Sequence, residues 1–108
     1  MTGTNGGRFG GGGAARTEIA CERLSFDTQL SSPKPAVVAQ LKVDDVLAVE
    51  LDQQGPAQVV VIKLGNQIAG GITSPKMVRL LECLQAGSTY QATVTSISGG
   101  QVGVRISP

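Results

Sequence analysis

The run Val59-Val60-Val61-Ile62 constrains this chain more than any other stretch. Val59 to Leu64 is β-branched or apolar except for Lys63, which predicts a strand buried on much of both faces. Gly65-Asn66 follows at once, a pair that tolerates positive φ and suits a tight hairpin turn. Ile68, Gly70 and Ile72 then alternate as a returning strand should. Ser74-Pro75 reads as a helix start, with Ser as the cap and Pro at the first position, where a missing N–H does no harm. Met77, Leu80, Leu81 and Leu84 form one apolar stripe at i, i+3, i+4 and i+7, and Gly87 is a natural stop.

Other segments repeat the period-two pattern. Leu24, Phe26, Thr28 and Leu30 alternate with Arg23, Ser25, Asp27 and Gln29, until Ser31-Ser32-Pro33-Lys34-Pro35 breaks the strand. Leu47, Val49 and Leu51 predict a strand that Gln53-Gln54-Gly55-Pro56 turns back onto Val59 to Leu64. Tyr90, Ala92 and Val94 predict another, joined through Ser98-Gly99-Gly100-Gln101 to Val102, Val104 and Ile106. Ala36 to Leu41 is too short for periodicity to decide between helix and loop; one or two helical turns are expected. The order is β, short helix, βββ, α, ββ. The fold class is mainly β with one α-helix, as a small β-barrel or a rolled antiparallel sheet. Leu24 to Leu30 and Val102 to Ile106 are the expected edge strands.

One domain is expected for 108 residues. Seven of the first 15 residues are Gly, so residues 1–16 predict a disordered tail with little to bury, and the folded unit is expected over 17–108. With no Trp and only Phe9, Phe26 and Tyr90 as aromatics, Val, Ile, Leu and Ala must fill the core. From Ala20 onward there are seven basic and seven acidic residues. That balance argues against strong non-specific nucleic-acid binding, which needs many cations facing phosphates.

Histidine is absent, so imidazole acid–base chemistry is excluded. Cys21 and Cys83 are too few and too far apart for a zinc site; they are expected as small reduced core residues in a cytoplasmic protein, with a disulfide between them as the alternative. No apolar run is long enough to span a membrane. Asp44-Asp45 is the one paired carboxylate and is expected to bend the chain into a strand. No cofactor, metal site or enzymatic activity is expected. The sharpest binding candidate is the helix start at Ser74, where free N–H groups with Lys76 and Arg79 can hold a phosphate or carboxylate. Tyr90 can stack on a base if it faces out, although its phase with Ala92 and Val94 favours the core.

The layout from Leu41 to Ile106 resembles the HIRAN family, a small barrel module that grasps the 3′ end of single-stranded DNA. The likeness rests on Asp45-Val46-Leu47, Val59-Val60-Val61-Ile62 and Ile68-Ala69-Gly70-Gly71-Ile72, then a helix with Leu80-Leu81 and the stretch Ala86 to Val94. Where HIRAN domains carry a Glu/Asn-Pro-x-Asp-type segment, this chain has Leu51-Asp52-Gln53-Gln54-Gly55-Pro56-Ala57. The resemblance implies a nucleic-acid contact on the face with Lys63 and Tyr90 and at Lys76 and Arg79. Two functions are therefore expected: an adaptor or accessory subunit that engages a protein partner, or itself, through an edge strand, and alternatively HIRAN-like binding of single-stranded DNA ends.

Overall fold

A computed structural model describes residues 20–108. The expected tail, residues 1–16, lies outside the described residues. A 3-10 turn (Cys21–Arg23) leads into β1 (Phe26–Gln29), α1 (Pro35–Val38), β2 (Val46–Gln54), β3 (Ala57–Leu64), β4 (Gln67–Gly71), α2 (Met77–Gln85), β5 (Gln91–Ser98) and β6 (Gln101–Ser107). The element order is the one the alternation predicts, with α1 reduced to a single turn.

All six strands form one antiparallel sheet in the order β1-β6-β5-β2-β3-β4. The sheet is rolled but not closed into a barrel. Its two ends meet at one point, where the Ser31 and Gly71 backbones exchange hydrogen bonds of 2.8 and 2.9 Å. Val102 to Ile106 is therefore not an edge strand: β6 lies between β1 and β5, because the Gly99-Gly100 turn folds it back while β1 pairs with its far side. Both turn glycines have positive φ, 57° and 84°, the twist a two-residue hairpin needs.

The concave face carries the core. Val60, Ile62, Leu80, Val94, Val102, Val104 and Ile106 have essentially no exposure and interlock across the sheet with α2. Val37, Val38 and Leu41 from α1 and the residues after it close one end. Strand β5 bulges between Val94 and Ser96, and Gly103 opposite makes the bulge fit. A Cβ at Gly103 would lie 2.6 Å from Ser96 Oγ and 3.1 Å from Thr95 Oγ1.

Helix α2 starts two residues later than the Ser-Pro pair predicts, at Met77 with Lys76 as its cap. Ser74 instead heads a turn, its carbonyl accepting the Met77 N–H (2.8 Å) and its hydroxyl the Lys76 N–H (3.2 Å). The stop is as expected: Gly87 at φ 100° lets Gly87 N–H reach Leu84 O and Ser88 N–H reach Cys83 O, a Schellman closure.

The cysteines are not reduced core residues. Cys21 and Cys83 form a disulfide that ties the 3-10 turn to α2 across a sequence separation of 62. Sequence distance hid the pair because the rolled sheet brings the start of the chain over the helix. Tyr90 reinforces the same junction by donating its hydroxyl to the Cys21 carbonyl at 2.5 Å.

Candidate functional site

The five residues singled out from the sequence do not form one open cationic surface. Lys63 on β3 pairs with Glu50 of β2 at 3.4 Å, and Arg79 pairs with Glu82 one helical turn on at 3.3 Å. Lys76 places its ammonium 5.9 Å from the centre of the Phe26 ring, a cation–π contact that caps a buried aromatic. Ser74 is engaged in the turn before α2. Tyr90 is buried, and desolvation pushes its hydroxyl pKa up, so it is a core residue and offers no face for a base. Asp45 accepts the Lys42 N–H at 2.9 Å, fixing the turn into β2, which is the bending role expected of the Asp44-Asp45 pair.

A different place carries the features of a binding site. It follows from how far each strand pairs. Strand β2 runs nine residues but pairs with β5 only at Val46, Leu47 and Ala48. Strand β3 pairs with β4 only from Val61 to Leu64. The rest of the β2–β3 hairpin is an arm whose ladders to both neighbours have ended. One face of the arm, with Val49, Leu51 and Val60, packs on the core. Its opposite face carries Val59 and Val61, cross-strand from Asp52 and Glu50.

Val61 is 4% exposed although it lies outside the main core. It lines a groove of about 380 Å³ over the end of β4. Val59 and Val61 line one side; Ser31, Ser32 and Lys34, on the segment bonded along the outer edge of β4, line the other. Between them passes Gly71, cross-strand from Val61 and so on the same face. Its missing side chain leaves the channel open. A Cβ there would find nothing closer than Val60 O at 3.5 Å.

The backbone along this groove is also unusual. Ile72 donates to Val60 O at 3.2 Å, and among the described residues no backbone bond joins β3 to the chain beyond Ile72. By strand alternation Gln58 turns its N–H and C=O to the same side as Val60 does. There they meet no strand. Ser32, in the opposite wall, holds φ 49°, a left-handed conformation that costs a non-glycine residue about 1–2 kcal/mol.

Sequence reasoning found the doubly buried strand but not the groove. The signals were present: two adjacent glycines at the end of β4, and Ser-Ser-Pro-Lys-Pro read only as a strand breaker. Compared with protein-family models, curated proteins and solved structures, the chain matches none of them.

Proposed function

We propose that this protein is a non-enzymatic binding module that captures an extended segment of a partner protein by strand addition at the free edge of β3. The observation that carries this reading is the stretch Ala57–Val59, three residues beyond the last backbone bond on that side of β3, Ile72 N–H to Val60 O, and beside the groove. An added strand there continues the line of β4, gains main-chain hydrogen bonds from Gln58, and sets alternate side chains against Val59, Val61 and Thr73. Main-chain pairing supplies affinity and the groove supplies selectivity.

Binding of single-stranded DNA ends is the weaker reading. With Tyr90 buried and Lys63 and Arg79 each paired to a carboxylate, the residues the HIRAN resemblance points to lack a stacking platform. The Cys21–Cys83 bond also favours a compartment where disulfides persist over the reducing cytoplasm expected from the sequence.

The test is a random-peptide display selection on the immobilised protein, followed by binding of the enriched peptides to two variants. Gln58→Pro removes the outward N–H yet leaves the β2 pairing intact, because proline is tolerated on an edge. Gln58→Ala keeps the N–H and loses only the side-chain bond that Gln58 accepts from Gln85 (2.6 Å). Peptides that bind wild type and Gln58→Ala but not Gln58→Pro are the expected result. Equal binding to all three proteins, or no enrichment, overturns strand addition.

A further inference from the structure

We infer that the segment captured at β3 carries a carboxylate, which crosses the Gly71 gap and is bound by Lys34. This rests on the strand-addition reading and names the chemistry of its partner. Three observations carry it.

Among the described residues Lys34 is the one charged residue lining the groove, and it makes no ion pair there. Lys63 on β3 and Arg79 on α2 already have carboxylates. Asp52 is cross-strand from Val59 but does not line the groove, and its carboxylate accepts the Gln54 side-chain amide at 3.3 Å.

The backbone that roots Lys34 is stiff. Prolines flank it on both sides. Its N–H donates to Ala69 O at 2.8 Å, and its carbonyl accepts Val37 and Val38 N–H at 3.0 and 2.9 Å. An anchored Cα leaves only side-chain rotamers to be ordered on binding.

Lysine is also a poor choice there for folding alone. Residue 34 is the N-cap of α1, and it makes no side-chain capping bond. Ser, Thr, Asp or Asn would satisfy a free N–H at that position. A residue that departs from the local preference beside a groove is the pattern of a site kept for binding.

The channel over Gly71 sets the route. A peptide lying along Ala57–Val59 points one end, or one outward side chain, across the glycine toward Lys34. Either a C-terminal carboxylate or an Asp or Glu side chain supplies the same chemistry: a charge-assisted hydrogen bond from an ammonium to a carboxylate oxygen.

Three probes separate these sources: acetyl-Thr-Val-Thr-Val with a free carboxylate, the same peptide as its C-terminal amide, and acetyl-Thr-Val-Glu-Val amide. Each is titrated into isotope-labelled protein, wild type and Lys34→Gln, at low ionic strength, following the Gln58 and Val60 amide resonances. At least one acidic probe is expected to bind wild type roughly threefold to tenfold tighter than the neutral amide, a gain that Lys34→Gln removes and Lys34→Arg keeps. Which acidic probe gains identifies the carboxylate. Equal binding of all three probes to wild type, or a loss in Lys34→Gln that is the same for the neutral amide, overturns the role of Lys34 while strand addition stands. Absence of any shift at Gln58 and Val60 with all three overturns strand addition, and the role of Lys34 with it.

Discussion

Reducing the Cys21–Cys83 bond should cost this protein a large part of its stability. The bond closes a loop spanning 62 positions of the chain. Cross-linking a chain over that length removes about 14 cal/mol/K of unfolded-state entropy in the loop-closure model, or about 4 kcal/mol at room temperature. The reduced native protein recovers some of this. The turn Cys21–Arg23 buries no residue of its own, and with the bond open it is held chiefly by the Tyr90 hydroxyl. Fraying of that turn lowers the net loss to about 2–4 kcal/mol. Reduction is a cleaner perturbation than substitution, because Cys83 is fully buried and Cys83→Ala would also remove a packed sulfur. The assay is urea unfolding with and without a dithiol, with thiol content checked by alkylation and mass. A loss of about 2–4 kcal/mol shifts the midpoint by about 1–3 M for a domain of this size. A midpoint unchanged within error, with both thiols demonstrably free, would refute the reasoning: the loop would then not be restrained in the unfolded chain.

Three further perturbations test the sheet. Gly103→Ala should lose about 1–3 kcal/mol, because the new methyl meets Ser96 Oγ; combining it with Ser96→Gly should cost less than the sum of the two, as double-mutant unfolding will show. Gly70→Ala should destabilise by a similar amount, since its Cβ would sit 3.0 Å from the Ser31 carbonyl and 3.1 Å from Leu30 Cβ where the sheet ends meet; Gly71→Ala should change the unfolding midpoint little. Asp27 accepts two hydrogen bonds from Arg105 across the β1–β6 pair, at 2.9 and 3.1 Å, and the guanidinium holds its carboxyl below the usual aspartate range. A lowered folded pKa gives stability that is present above the unfolded pKa and is lost as pH falls through the folded one. The difference in Tm between wild type and Asp27→Asn should therefore be present at about pH 7 and vanish at about pH 2; a difference that grows in acid would overturn the assignment.

Much of the fold is legible because period-two alternation survives in almost every strand. Val102, Val104 and Ile106 point inward as the pattern demands, and so do Leu47 and Val49. Helix α2 shows its apolar stripe, although Met77, Leu81 and Leu84 are only half-buried while Leu80 and Cys83 take the deepest positions. What the pattern does not contain is the order of strands. Alternation tells which face of β6 is buried but not that β1 adds to its far side, so of the two expected edge strands β1 is one and β6 is not. Pairing of Cys21 with Cys83 depends on the same long-range arrangement. The site was less legible than the fold. Charge and capping preference point to Ser74, Lys76 and Arg79, yet Lys76 sits over the distant Phe26 ring and Arg79 pairs with Glu82 one turn on. Lys34 carries no signal of its own in the sequence, because it sits in a segment whose prolines read only as a strand break.

The groove and the rolled shape have a common cause in the two neighbouring glycines of β4. Gly70 is cross-strand from the buried Ile62, and the absence of its side chain lets Leu30 and Ser31 approach closely enough for the sheet ends to bond. Gly71 is cross-strand from Val61, on the opposite face, and there the absence leaves space instead of contact. One glycine joins the ends, and the other keeps the joint from being filled. A chain selected only for stability has a reason to keep the first and none to keep the second. A β-branched residue at 71 would favour the strand and fill the channel beside Val61. Gly71→Val therefore separates folding from binding. It should retain or raise the unfolding midpoint and abolish capture of the peptides that wild type selects. If it binds them unchanged, the groove over β4 is not where they lie.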